Sequence, residues 1–356
     1  VNFSRGIRKA PATKSAAYFL EAAENGEVFS QVRVGALYLM GSGLPEDREK
    51  AVLWWRKAAE NGDASAQFRL GMMGMEGLSE SVSKAEALKW YHKAAEQHYG
   101  YARLNLAGIY ENGCGVDRDY AEAARLYRSL ADQGDGEGQF NLARLYENGR
   151  GVTKDYARAA QLYRKAAEQE HRSAQVNLGL MYENGRGVMK SYAKAFRLYR
   201  EAAKLGFGSA QVNLGEMYEN GRGVAKNYVK AIDLYRSAIL TREPAAYFNL
   251  GMMYASGRGV GKDKTEAMRL LHTAEESSYP SAAGALASTT VAYLSSVRTP
   301  GSTRPINDLV RQCSMLHVVT VMFETALRVR SHSLAHADRC QMKLRRKTTP
   351  VTLSRA

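Results

Sequence analysis

Four groups of residues have types and spacings that could do chemistry. The first is a row of asparagines, Asn105, Asn141, Asn177, Asn213 and Asn249, each 36 residues from the next. An Asn side chain offers two donors and an acceptor, so such a row can hydrogen-bond the main chain of an extended peptide whatever its sequence. Arg33 and Arg69 hold the same register in the two preceding intervals and suit an acidic peptide end. Three residues on, the column reads Ala36, Met72, Gly108, Arg144, Leu180, Glu216 and Met252. It varies and is often apolar, which makes Met72, Leu180 and Met252 candidate side-chain contacts. The second group is Cys313, His317, His332, His336 and Cys340. Pairs at i, i+4 on a helix can ligate zinc, but this spacing fits no standard zinc module and reads as a chance cluster. No metal and no cofactor are expected. The third is the Gly-x-Gly of Gly113, Gly149, Gly185 and Gly221. No strand precedes it and no Lys-Ser/Thr follows, so the phosphate-cradling reading fails on context. The fourth, Lys343-Leu344-Arg345-Arg346-Lys347, offers charge for nucleic acid or an acidic membrane. It lacks the interleaved aromatics that stack bases, and a soluble basic end is the plainer reading.

The elements that would position these residues repeat. MYENGRGV begins at Met181 and again at Met217, LYENGRGV at Leu145, and IYENGCGV at Ile109. A fixed 36-residue interval in a 356-residue chain selects a stacked array over one enlarged core. In residues 136–171 a helix ends at Asn148-Gly149, where glycine supplies the left-handed closing residue. Asp155 then caps a second helix. The cap column reads Asp47, Ser83, Asp119, Asp155, Ser191, Asn227 and Asp263, all good N-cap types. Glu86, Glu122 and Glu266 stand three residues on and predict capping boxes or their Asp analogues. The exit loops carry Gly26, Gly62, Gly134 and Gly206, but His98, Glu170 and Arg242 in the other repeats. Weaker or differently shaped caps are expected at those three.

The predicted core is columnar. Val34, Leu70, Leu106, Leu142, Leu178, Leu214 and Leu250 line the first helices, each followed by Gly or Ala. Trp55, Tyr91, Tyr127, Tyr163, Tyr199 and Tyr235 line the second helices, with an alanine column from Ala51 to Ala267. Helix-interior glycine costs up to about 1 kcal/mol relative to Ala, so its persistence at Gly35, Gly71, Gly179, Gly215 and Gly251 predicts close helix approach. The asparagine row falls on an exposed stripe, typified by Ser173, Asn177 and Leu180 at i, i+4, i+7.

The pattern resembles the Sel-one-like repeat (SLR) family, an α/α relative of the tetratricopeptide repeats. Ala174, Leu178, Gly179 and Tyr182 carry the resemblance, with the turn Gly185, Gly187, Val188 and the run Ala195, Tyr199, Ala202, Ala203. It spans residues 13–276. The second unit departs from it, with Gly74 in place of the Tyr and LSES in place of the turn. The resemblance implies an all-α, α/α superhelical solenoid of 36-residue helix-turn-helix repeats. It implies a non-catalytic scaffold or adaptor whose first helices line a concave groove for a protein or peptide segment. One Asn would then meet about every third peptide residue, because packed helices lie roughly 10 Å apart and an extended chain advances roughly 3.3 Å per residue. The alternatives are an enzyme-like branch that binds or cleaves β-lactams, and a spacer with no groove ligand. The first lacks a nucleophile–base cluster here, and three cysteines cannot supply that branch's disulfide in each repeat.

The expected layout is an N-terminal extension (1–12), a solenoid of a half repeat plus seven helix pairs (13–277), a degenerate capping helix (278–296) and a basic, flexible, non-repeat tail (297–356). The tail holds 11 Lys/Arg against 3 Asp/Glu, so it carries most of the +14 net charge. No apolar run approaches the roughly 18 residues of a membrane span. A cytoplasmic location is expected, with the endoplasmic reticulum lumen or periplasm as the alternative if a signal peptide precedes residue 1.

Overall fold

The computed structural model describes residues 14–296, and every regular element among them is an α-helix. They form two compact units, residues 14–138 with 149–153, and residues 139–148 with 154–296. The expectations for residues 1–12 and 297–356, including the His/Cys cluster and the basic run, lie outside the described residues.

The first unit holds α1 (Lys14–Glu24), α2 (Val28–Met40), α3 (Arg48–Glu60), α4 (Ala64–Met75), α5 (Lys84–Glu96), α6 (Gly100–Asn112), α7 (Tyr120–Asp132) and the start of α8 (Gly136–Asn148). From α1 to α7 each helix packs on the next. The second unit holds the rest of α8, then α9 (Tyr156–Glu168), α10 (Arg172–Asn184), α11 (Tyr192–Lys204), α12 (Gly208–Asn220), α13 (Tyr228–Leu240), α14 (Pro244–Ser256), α15 (Lys264–Glu276) and α16 (Ala282–Ser296). There α9 to α16 pack in chain order, and α14 also touches α12 and α16. Helical hairpins repeated at 36 residues define the all-α solenoid class that the periodicity predicts. None of these helices is long and apolar enough to cross a membrane.

All seven predicted N-caps form. Asp47 accepts from the Lys50 N–H, Ser83 from Glu86, Asp155 from Arg158, Ser191 from Lys194 and Asn227 from Lys230. Asp119 and Asp263 each accept two backbone N–H groups. The capping boxes at Glu122 and Glu266 do not form. The N–H groups of Asp119 and Asp263 instead donate to the carbonyls of Tyr110 and Tyr254, nine residues back. Glu122 and Glu266 are drawn to Arg125 and Arg269, with two hydrogen bonds each.

The turn after each first helix is built on two glycines. Gly185 caps α10 at φ +68°, its N–H donating to the Met181 carbonyl. Gly187 lies against the start of α9, where an added Cβ would stand 2.2 Å from the Tyr156 oxygen. The second repeat reaches its turn by another route. Val82 fills the space beside Gly74, and α4 ends at Met75 with Gly77 in the left-handed region. The LSES segment is tied back to α3, since the Ser79 hydroxyl and the Glu80 N–H donate to Glu49. Hydrogen bonds from Ser81 and Ser79 hold the Glu49 carboxyl below its ordinary pKa.

The predicted core columns are buried, and the small residues of the first helices face the rings of the second. A Cβ on Gly179 would sit 2.4 Å from the Tyr199 ring, one on Gly215 2.5 Å from Tyr235, and one on Gly35 2.4 Å from Trp55. Close approach is therefore the reason for these glycines.

The exit loops correct one expectation. His98, Glu170 and Arg242 adopt the same left-handed conformation as their glycine counterparts, at φ +63°, +59° and +57°. Their backbone bonds are also the same: the Glu170 N–H donates to Ala167 and the His171 N–H to Ala166. Shape is retained, and the departure appears as local strain, because a Cβ in this region costs about 1–2 kcal/mol. Glu170→Gly is expected to stabilise the chain by about 0.5–1 kcal/mol after the greater freedom of unfolded glycine is deducted. Chemical denaturation of the two proteins checks this, and a destabilised variant would contradict it.

Candidate functional site

The candidate surface is the outward register of the first helices. In the first unit Arg33 on α2 is half-buried between the rings of Phe19 and Phe29, at 5.9 and 5.6 Å from their centroids. Arg69 on α4 is half-buried over Trp55 at 5.4 Å. Desolvation lowers its pKa, which leaves it a cation at any physiological pH. The Nε atoms of both are buried without a hydrogen-bond partner. Met72 on the same helix as Arg69 is half-buried. Asn105 on α6 is not a surface residue: it is 4% exposed and donates to the Tyr91 hydroxyl at 3.3 Å.

In the second unit Asn141 on α8 is 1% exposed and accepts from Arg144 Nη1 at 2.9 Å. Asn177 on α10 is half-buried and donates to the Tyr163 hydroxyl at 3.0 Å. Leu180, one turn on, is 39% exposed. Asn213 on α12 is half-buried. Asn249 on α14 donates to Glu216 on α12 at 3.0 Å, which links two first helices. Met252 is half-buried beside it in the chain.

The expectation of a uniformly exposed asparagine row is thus corrected. Asn105 and Asn141 are inside, and Asn105 and Asn177 reach tyrosines of the preceding second helix. A buried phenol needs hydrogen-bond partners, and these tyrosines end within reach of the first-helix amides.

Four tyrosines of this second-helix column organise a network that the sequence reading missed. Tyr127 donates to Glu111, Tyr163 to Glu147, Tyr199 to Glu183 and Tyr235 to Glu219, at 3.0, 2.8, 3.1 and 2.7 Å. Arg222 then pairs with Glu183 at 2.8 Å, and Arg258 with Glu219 at 2.7 Å. Each of these arginines comes from the turn one repeat later, so the ion pair binds successive hairpins. Burial, then the adjacent glutamate, pushes the pKa of Tyr163, Tyr199 and Tyr235 far above the ordinary phenol value. The hydroxyls remain protonated donors. The signal was present as a fixed spacing: Glu of the octapeptide, Tyr 16 residues on and Arg 39 residues on.

Glu216 is different. Burial is the main cause that raises its pKa, and the nearby Glu183 and Glu219 add to the rise against the Asn249 hydrogen bond and Arg222. Among the described residues no cluster of His, Cys, Asp and Glu could hold a metal ion.

Residues 28–63, 64–99, 100–135, 136–171, 172–207, 208–240 and 244–279 each match the Sel1 repeat. The chain belongs to the Sel1 repeat family. It is similar to c5321, a protective antigen of uropathogenic Escherichia coli strains with an SLR fold, at 33% identity and a TM-score of 0.69. That likeness covers 76% of this chain but 58% of the E. coli chain, so this chain spans little more than half of it. A Sel1 repeat protein from Oxalobacter formigenes is 30% identical with a TM-score of 0.64, over 76% of this chain and 78% of its own. No curated protein matches the chain.

Two outcomes follow. Tyr163→Phe removes the acceptor of Asn177 and the donor to Glu147, and is expected to cost about 1–2 kcal/mol by denaturant titration. For Glu216 the folded carboxyl has the higher pKa, so stability is lost as pH rises from the unfolded value of about 4.3 through the folded value. Glu216→Gln is expected to melt above the wild type at pH 7, with the gap closing below about pH 4. A pH-independent gap would contradict the assignment.

Proposed function

We propose that this chain is a non-catalytic scaffold that binds an extended segment of another protein along the first-helix surface of its repeats. One observation carries the reading. The buried register scarcely changes between repeats, whereas the outward column changes character each time, from Met72 to Arg144, Leu180, Glu216 and Met252. Arg144 and Glu216 serve the frame through Asn141 and Asn249, but stacking has no use for an apolar side chain kept at the surface, as Leu180 is. Repeat architectures bind through such rows, and an apolar side chain such as Leu180 held 39% exposed suits a side-chain contact.

The burial of Asn105 and Asn141 changes the proposed roles. Asn105 ties α6 to Tyr91 of α5 and Asn141 bonds Arg144 within α8, so both are proposed to serve recognition only by positioning the surface. Asn213 makes no side-chain hydrogen bond among the described residues and is the amide best placed to meet a peptide main chain. Arg33 and Arg69, half-buried against aromatic rings, are proposed to receive acidic groups in the first unit. Leu180, Met252 and Met72 supply apolar contact.

The reading is tested with Leu180→Glu and Met252→Glu in one chain, compared with wild type in affinity capture followed by peptide mapping of the captured segments. Both positions are at the surface or half-buried, so a melting temperature close to wild type is expected. Loss of most captured segments supports a first-helix site. Capture of the same segments by both proteins would move the site elsewhere, and capture of none by either would favour a spacer.

A further inference from the structure

The second helices of the second unit carry an excess of positive charge that the repeat does not require. Segments 154–168, 190–204 and 226–240, which hold α9, α11 and α13, contain 12 Lys/Arg against 4 Asp/Glu. The four segments in the same register elsewhere, 46–60, 82–96, 118–132 and 262–276, contain 13 of each. The first helices α10, α12 and α14 of the second unit run the other way, with Arg172 against Glu183, Glu216 and Glu219. One column shows the change at each step: Glu86, Glu122 and Glu266 give way to Arg158, Lys194 and Lys230.

These cations share a face. At about 3.6 residues per turn, Lys194, Arg197, Arg200 and Lys204 fall on the flank of α11 opposite its buried Ala195, Tyr199 and Ala202, and all four are exposed. The faces of successive second helices adjoin. Arg164 of α9 donates to the Tyr182 hydroxyl at 3.1 Å, and Lys194 of α11 lies over the same ring, 5.1 Å from its centroid. Phe196 of α11 and Lys230 of α13 likewise meet on Tyr218, at 5.6 and 5.3 Å. Where α7 sets a carboxylate in this register, Glu122 bound to Arg125, α9, α11 and α13 set a further cation. Like charges gathered on one face repel and weaken the fold, so the arrangement calls for an anionic counterpart from outside the chain.

We propose that the face formed by α9, α11 and α13 docks on an anionic lipid surface. Apolar side chains stand among its cations. Met189, between Arg186 and Lys190 in the chain, is 89% exposed, and Val229 and Leu240, on the flank of α13 that carries Lys230 and Arg236, are 60% and 85% exposed. Tyr156, Tyr192 and Tyr228 open the three helices half-buried, with Lys154, Lys190 and Lys226 over their rings at 4.8, 4.9 and 5.5 Å. A single-stranded nucleic acid stacks its bases on open rings, and these rings are covered. Projecting apolar side chains have no role against a phosphate backbone. They match the boundary layer of an anionic bilayer, where cations meet the headgroups and apolar groups enter beneath them. The long Lys and Arg stems let the charges reach the headgroups while the methylenes stay in contact with the apolar layer. The face is independent of the first-helix surface proposed above.

The test is co-sedimentation of the full chain with vesicles of phosphatidylcholine alone and of phosphatidylcholine mixed with phosphatidylserine, with polyuridylate as the competing polyanion. Arg158→Glu, Lys194→Glu and Lys230→Glu in one chain install the residue that three other repeats carry in this register, so the variant should fold and melt close to wild type. It is expected to lower partitioning onto the phosphatidylserine vesicles at least tenfold, and raised salt to do the same to wild type. Met189→Ser with Leu240→Ser keeps every charge and is expected to weaken binding severalfold. Arg345→Ser with Arg346→Ser, in the basic run near the C-terminus, is expected to leave most of the binding in place. No binding of wild type to the phosphatidylserine vesicles, or equal binding to phosphatidylcholine alone, would overturn the proposal. So would unchanged binding by either of the first two variants, loss confined to the third, or capture of polyuridylate in preference to vesicles.

Discussion

Each aromatic ring of a second helix rests on a small residue of the first helix in the same repeat, and the rest of the structure depends on that contact. Gly35 beneath Trp55, Gly71 beneath Tyr91, Gly179 beneath Tyr199 and Gly215 beneath Tyr235 admit no Cβ without displacing the ring. The contact sets the distance between the helices of a hairpin. It also sets the reach of each tyrosine, because a ring seated this deeply delivers its hydroxyl to the far side of the first helix. Ala107 and Ala143 take the same position and leave Tyr127 and Tyr163 fully buried, so a small step in size is accommodated there.

The hydroxyl then imposes chemistry. In a buried setting it must donate, and a glutamate of the same hairpin's first helix receives it. That glutamate in turn attracts an arginine from the following turn, seen at Glu183 with Arg222 and at Glu219 with Arg258. Apolar packing within a hairpin is thereby converted into an electrostatic link between hairpins. A partly buried ion pair with additional hydrogen bonds costs more to break than to leave out, which favours one register of stacking. The octapeptide first seen as a turn signature is therefore also the joint between repeats: its Glu and Arg act one repeat apart, and its glycines allow the chain to pass against the preceding helix start.

Variation is confined to places where this scheme is indifferent. The outward column of the first helices changes freely, and so do a few positions on the second-helix side. Where a change penetrates the frame, as at Arg103 in place of the lattice glutamine, the hydrogen bond to the preceding helix end is kept.

The helices, their caps and the packing of small residues against rings were legible in the sequence, because each depends on residues close in the chain and recurs at one interval. Asp155 before its helix and Gly185 after its helix act through local backbone geometry, and repetition multiplies the signal. The depth of the asparagine row was not legible. Asn105, Asn141 and Asn177 occupy one column, yet two are buried and one is half-buried, since burial depends on what the neighbouring helices place above the amide. The failed capping boxes have the same origin: a tyrosine carbonyl nine residues away took the N–H that a local rule assigned to glutamate. Local rules decided which segments became helices. Competition among distant partners for each buried polar group, which only the packed structure resolves, decided which side chains remained available to a ligand.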